Sequence, residues 1–488
     1  MKTNLVLLSL LLTFSQCMIA QGDRPNFIFI YTDDQRYDCL GVVQKEQGDK
    51  ARFPWLQTPN LDKLANEGVR FRNAFVVQSL CTPSRASFLT GKYTHTHNVY
   101  TNFTNFPEDL DTWASLLTKE GYQTGYIGKW HMGSEGGQRP GFTYSASYLG
   151  QGIFFDCPFE INGQKTQTKG WVDDIATDYA IEFIKKNKNK EFAVAIGYKS
   201  AHVPFIPNEK HKDLYPDAQM QPAQNHMNYP IYLGRVHYAK PEHTKPYGNV
   251  LTKDYIDYFR TLTAIDDNMG RIMQLLEELD IEDNTMIVYS SDNGYQFGEH
   301  GIGDKRSAYE TSMRIPMIVR YPNGKLNHTT SDAMVLNIDL APTLLDMAGV
   351  NVPEEMQGKS WKPLLMENSK SIRKGFMYEY FFSYKDITDY EIQTANPPIT
   401  PTIVAYRTDD AKIITYPEQG WVELFDLVND PYERENLADD PKYQNLKKKL
   451  VENLEQEKKM TNFKYPDDYI PVPQDPEMED WRKEKNFK

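Results

Sequence analysis

After its first twenty residues the 488-residue chain has no apolar run of about 18 residues, so no later segment reads as a transmembrane helix. It also lacks positive charge. Lys and Arg number 54 against 67 Asp and Glu, a formal net charge of −13, which argues against a nucleic-acid-binding face. An acidic surface repels anions at long range, so any anion site must be built from local cations. With 29 Gly, 29 Pro, 40% hydrophobic and 25% charged residues, the composition excludes collagen-like, low-complexity and wholly disordered chains. There is no internal repeat, and no Cys/His cluster has the ligand spacing of a zinc site.

Cysteine is scarce, four in all. The first twenty residues bear on one of them: Lys2, an apolar run from Leu5 to Phe14, and small and polar residues around Ala20. That order describes a cleaved signal peptide over residues 1–20 and predicts a secreted or periplasmic protein. Cys17 leaves with it, unless it is the anchor of a lipoprotein, for which the preceding residues are poorly suited. Cys39, Cys81 and Cys157 remain, an odd number in an exported chain. Cys39 and Cys157 read as small buried apolar residues or as one disulfide.

Six apolar, β-branched runs read as buried strands: Asn26 to Tyr31, Val69 to Phe75, Thr124 to Ile127, Phe192 to Tyr198, Met286 to Ser290 and Met317 to Arg320. Helical periodicity falls on Asn60–Glu67, Leu110–Glu120, Asp173–Lys186, Asp254–Leu279 and Ile338–Ala348. The alternation predicts an α/β domain over residues 23–370, with a large, mostly parallel sheet between helices. After Trp361 come short strand-like pieces, Phe376 to Phe382, Ile403 to Arg407, Ala411 to Tyr416 and Trp421 to Asp426, and then a charged helix, Pro441 to Lys459. Residues 371–488 therefore read as a smaller α+β subdomain with an antiparallel sheet, and a tail from Tyr465.

The polar residues that follow the strands carry the chemistry, because open α/β sheets bind ligands beyond the carboxyl ends of their strands. The first strand runs into Asp33 and Asp34, and a later one into Asp292 and Asn293. Two others lead to Lys129 with His131, and to His202. Three carboxylates and an amide are the oxygen donors that a hard divalent cation requires; Ca2+ suits a crowded all-protein site better than Mg2+. Cys81 stands before Pro83, where a helix begins, with Arg85 one turn later. Helix N-termini favour anions, and an unmodified thiol there would be a nucleophile or a metal ligand.

The segment Cys81-Thr82-Pro83-Ser84-Arg85-Ala86-Ser87-Phe88-Leu89-Thr90-Gly91 resembles the signature of the formylglycine-dependent sulfatases of the alkaline phosphatase superfamily. The resemblance includes Tyr31 to Gln35, Gly128 to His131, His202 to Phe205, Ser291 to Gly294, Gly298 to Gly301, Lys305-Arg306 and Leu424 to Leu427. It implies that a maturation enzyme converts Cys81 to formylglycine, whose hydrate attacks sulfur. The resulting sulfated intermediate sheds sulfate and regenerates the aldehyde, where a serine sulfate would be a stable ester. By position, the resemblance gives Asp33, Asp34, Asp292, Asn293 and the converted Cys81 to the metal. Arg85 and Lys129 orient the diol, and His131 accepts its second hydroxyl proton. Lys305 holds sulfate oxygens, and His202 contacts the bridging oxygen and protonates the leaving alcohol. Substrate binding thus rests on Lys129, His202 and Lys305, while His95, His97 and His300 read as structural.

Specificity then belongs to the loops Tyr144 to Lys169 and Asn208 to Asn249, with Tyr232, Arg235, His237, Tyr238 and His243 as sugar or uronate contacts. A sulfated poly- or oligosaccharide is the expected substrate, with algal galactans or ulvan and glycosaminoglycans all open. Two rivals share the pattern. One is a phosphodiesterase or phosphonate monoester hydrolase of the same superfamily; the other is a catalytically inactive glycan-binding homologue.

Overall fold

The computed structural model describes residues 24–133, 136–233, 235, 253–367, 369–383, 400–467 and 469–471. The signal segment, His237, Tyr238, His243 and most of the tail lie outside them. The first sheet contains β1 (Asn26–Thr32), β2 (Val69–Phe75), β3 (Gln123–Lys129), β4 (Tyr144–Tyr148), β5 (Phe159–Ile161), β6 (Gln164–Thr166), β7 (Phe192–Gly197), β8 (Thr285–Ser291), β9 (Met317–Arg320) and β10 (Thr329–Leu336). Its ten strands run β10-β2-β9-β8-β1-β7-β3-β4-β5-β6. Pairing is parallel from β8 through β1, β7 and β3 to β4, whereas β9 is antiparallel to both of its neighbours. A second, four-stranded antiparallel sheet follows, made of β11 (Gly375–Tyr380), β12 (Ile403–Thr408), β13 (Ala411–Tyr416) and β14 (Trp421–Asp426). The fold is the expected mixed α/β sheet between helices with an antiparallel appendage.

β1 is buried along its length and apolar from Phe27 to Tyr31, because it lies mid-sheet and is covered on both faces. Successive side chains alternate between layers. Phe27, Phe29 and Tyr31 join the core that includes Phe88, Leu89 and Trp113, whereas Ile28 and Ile30 join the core of Ile184, Ile265 and Leu276. Helices Cys81–Thr90, Trp113–Lys119 and Leu340–Met347 supply the first layer, and Pro59–Glu67, Val172–Asn187 and Lys253–Glu278 the second. The first core continues without a break into the second sheet through Phe376, Met377, Ile403 and Ile413.

Two expectations need correction. The stretch Tyr144 to Lys169, read as a loop interrupting the core pattern, contains β4, β5 and β6 and widens the sheet. β10, not anticipated, pairs with β2; its first residues, Thr329 to Asp332, are polar and partly exposed, so only its second half, Ala333 to Leu336, is apolar. The cysteine alternatives resolve as well: Cys39 and Cys157 are free, buried and in different apolar clusters.

His95 joins the two parts of the chain. Its Nδ1 meets Glu379 of β11 at 2.7 Å, and its Nε2 meets the Thr461 carbonyl at 3.0 Å. With an acceptor at each nitrogen, the ring favours its protonated form. Burial opposes the charge, but Glu379 overcomes it and raises the pKa above 6.5. The stability this gives is complete below about pH 6.5 and is lost as pH rises through the higher folded value. We expect His95→Gln to lose stability at pH 6 and to flatten that dependence between pH 6 and 8 in urea denaturation.

Candidate active site

The sheet register assembles the acidic cluster. β1 and β8 are parallel neighbours with Thr32 opposite Ser291, so the residues just beyond, Asp33-Asp34 and Asp292-Asn293, emerge side by side. The Asp292 amide donates to the Thr32 carbonyl at 3.0 Å, and the Asp34 amide to Asp292 Oδ1 at 3.1 Å. β7 and β3 continue the same edge. Gly128 (φ 86°) lies so close to Gly197 that a Cβ would fall 2.1 Å from the Gly197 carbonyl oxygen, so only glycine lets β3 deliver Lys129 here.

Cys81 is the first residue of a helix whose ten residues are all buried. Ligand atoms of Asp33, Asp34, Cys81 and Asp292 all lie within 4.8 Å of one another, and those of Asp33, Cys81 and His202 form a second such group. Arg85, one turn along, donates to Asp292 Oδ2 at 2.9 Å, Asp33 Oδ2 at 3.2 Å and the Lys129 carbonyl at 2.6 Å, and its guanidinium lies 4.8 Å from the centre of the Tyr31 ring. Lys129 pairs with Asp33, and Lys305 pairs with Asp34 at 2.5 Å and reaches Cys81 Sγ at 3.0 Å. His202 donates from Nδ1 to the Val203 carbonyl at 2.7 Å, which leaves Nε2 as the open face of the ring.

The charges are crowded. Burial would raise the Asp33 pKa, but Lys129, His202, Arg85 and Lys305 hold it well below the usual carboxylate range. Asp34 is pushed up to about 7 by burial and by its acidic neighbours, despite Lys305. Burial and Asp33 push the Cys81 thiol up to about 12, so unmodified it would be protonated and poorly nucleophilic at neutral pH. Burial, then Lys129, keeps His202 and His131 neutral.

A divalent cation fits this set. Asn293 donates its amide N–H to Asp34 Oδ1 at 2.6 Å, while its own Oδ1 is buried with no hydrogen-bond partner among the described residues. A buried oxygen lacking a donor, beside three carboxylates, is completed by a hard cation.

All ten anticipated site residues gather at this edge; His131 joins through Gln151, which touches both it and Lys129. His95, His97 and His300 sit in structural contacts: His97 Nε2 meets Ser87 Oγ at 3.0 Å, and His300 stacks on Tyr309 at 3.8 Å. Among the proposed sugar contacts, Tyr232 is corrected. It is fully buried, its ring packed on Tyr416 and its hydroxyl accepting from Thr400, so it presents nothing to a substrate. Arg235 lies over the Trp421 ring. Gln151 and Lys199 escaped the sequence reading, although Lys199 is the second residue beyond β7, where the strand-end rule applies.

An oxygen-donor cage, a residue at a helix N-terminus and three cations at the carboxyl edge of an α/β sheet define a hydrolase of anionic esters. A family model described as Sulfatase matches residues 25–350, and one described as N-sulphoglucosamine sulphohydrolase, C-terminal, matches residues 298–460. The chain belongs to the sulfatase family and is a sulfuric ester hydrolase. It is 32% identical to an N-acetylglucosamine-6-O-sulfatase of Bacteroides thetaiotaomicron, over 96% of this chain and 93% of that one. A structure solved in complex with its substrate D-glucosamine-2-N,6-O-disulfate superposes with a TM-score of 0.80 at 32% identity, covering 91% of this chain and 99% of that one. An ulvan-active sulfatase of Formosa agariphila is 27% identical, over 88% and 80% of the two chains.

The cation fit is testable by thermal unfolding. Metal-stripped protein should gain about 2.7 kcal/mol when a divalent cation reaches a hundredfold excess over its Kd. Asn293→Leu should lose most of that gain.

Proposed function

We propose that the chain releases inorganic sulfate from a sulfated carbohydrate, with 6-O-sulfated N-acetylglucosamine as its first substrate, after Cys81 has become formylglycine. The observation that carries the reading is Cys81 at the helix N-terminus, within 4.8 Å of three carboxylates and 3.0 Å from the Lys305 ammonium. The sugar assignment rests on the 32%-identical sequence and structure matches; the ulvan-active relative keeps algal polysaccharide as the second choice. An exported location, secreted or periplasmic, suits such a substrate, and a formylglycine-generating enzyme is the partner required for maturation.

In the unconverted chain, Sγ stands where the oxygens of the matured side chain would be. Asp33, Asp34, Asp292 and Asn293, with residue 81, would hold Ca2+, or Mg2+ as second choice. When bound, the ion supplies positive charge beside the nucleophile, and the hydrated aldehyde supplies the attacking hydroxyl. Arg85 keeps Asp33 and Asp292 in place through its fork of N–H groups. Lys305 and Lys129 offer fixed N–H donors to sulfate oxygens, in a dry site where they need not reorganise as charge shifts. Burial, then Lys129, holds His202 neutral in the free site. The negative charge of a bound sulfate ester favours the imidazolium, and a ring that takes a proton from solvent on binding can give it from Nε2 to the departing sugar alkoxide.

Mass spectrometry of the peptide containing residue 81, with sulfate release from N-acetylglucosamine-6-sulfate, ulvan oligosaccharides and a phosphate diester, tests the proposal. A higher kcat/KM on the diester, or sugar binding without turnover by converted protein, overturns it. Cys81→Ser should bind the sulfated sugar while turnover falls by ~10³ or more, because a serine sulfate cannot eliminate. Lys305→Met should lower kcat by about 10²- to 10³-fold.

A further inference from the structure

Helix Val172–Asn187 carries in its first turn a buried acid, Asp173. An aspartate so placed ordinarily answers the positive end of its own helix dipole. Asp173 is 0% exposed, and both of its oxygens turn instead to the segment beyond β7. Oδ1 accepts from the Lys199 amide at 2.8 Å, and Oδ2 accepts from the Ser200 amide at 3.1 Å and the Ser200 hydroxyl at 2.6 Å. β7 ends at Gly197, so these two amides have no strand to bond to, and a buried amide without an acceptor is costly. Burial pushes the Asp173 pKa up to about 6, so at pH 7.5 it is still the carboxylate that three donors require.

The backbone of Asp33 grips the same segment. The Asp33 amide donates to the Ser200 carbonyl at 2.8 Å, the Ala201 amide to the Asp33 carbonyl at 2.7 Å, and the His202 amide to the Lys199 carbonyl at 3.0 Å. Residues 199–202 are thus held by Asp173 and by a residue of the acidic cluster, and His202 is the last of them. A His202 ring nitrogen, an Asp33 carboxylate oxygen and Cys81 Sγ lie within 4.8 Å of one another. Proton transfer requires heavy atoms about 2.6–3.2 Å apart, so a backbone displacement of about 1 Å takes the ring out of reach.

We propose that Asp173 is the positioning residue for His202: it fixes the backbone from which the ring reaches the bridging oxygen of the substrate. As the bond from residue 81 to sulfur forms, the S–O bond to the sugar breaks with its electron pair on the sugar oxygen. The Nε2 proton moves to that oxygen, and the ring returns to its neutral form. Asp173 takes no proton in this step and touches no reacting atom. The proposal rests on the reading of His202 as proton donor given above.

The cost of losing Asp173 should therefore depend on His202. On N-acetylglucosamine-6-sulfate, Asp173→Asn should lower kcat about tenfold while KM changes less than about threefold. In a His202→Asn background the same substitution should change kcat less than about twofold, since the group it positions is gone. Equal losses in both backgrounds, or wild-type kcat in Asp173→Asn, overturn the proposal. Asp173→Ser repeats the cycle where the first variant does not fold, and every variant is assayed with the converted fraction at residue 81 counted by mass spectrometry. A second readout needs no turnover. In protein with 15N-labelled histidine, the ring signals that disappear in His202→Asn identify that residue. They should move in Asp173→Asn while those of His95 stay; unmoved His202 signals, or equal movement of both rings, would sink the assignment. A wild-type protein that releases no sulfate would defeat the functional reading and leave this second readout standing.

Discussion

Neutralising buried acid is the constraint on which the rest of this structure depends. Asp33, Asp34 and Asp292 are all at most 1% exposed at the edge of the sheet, and three like charges so close cannot persist without counter-charge. Arg85 answers two of them with one guanidinium, Lys129 shares Asp33, and Lys305 takes Asp34. Each cation comes from a different part of the chain, so the cluster ties the helix beginning at Cys81 to three strand ends and to the segment around Lys305. The fold and the chemistry are held by the same contacts.

The two sheets share that logic of mutual dependence. The large sheet presents its carboxyl edge to the ligand, while the layer beneath runs on into the antiparallel sheet as one apolar cluster. Buried polar links cross the same boundary: Arg407 and Lys412 pair with Glu310, and Glu423 accepts from Tyr309. A layer so joined gives the catalytic edge a stiff backing, which a site of crowded charges requires to keep its geometry.

The central strands were legible because burial on both faces forces a continuous apolar run, as in Asn26 to Tyr31 and Phe192 to Ile196. The strands that escaped are those at the margins, where one face or one half meets water: β6 is mostly exposed and β10 begins with Thr and Ser. The site was legible for a related reason. Residues such as Asp33 and Asp292 stand directly after recognisable strands, and parallel register converts that position in sequence into proximity in space. Gln151 was not legible, since nothing in its neighbours shows that a loop glutamine turns towards Lys129 and His131. Tyr232 misled because its ring is spent on packing against Tyr416, a contact from the far end of the chain.

The side chain of residue 81 has 0% exposure, beneath a helix that is itself wholly enclosed. No second protein can seat that side chain in its own cleft while the helix stays in place. If Cys81 is converted as proposed, an enzyme that has to seat the whole side chain in its own cleft would have to act on the nascent or unfolded chain, before this helix is packed.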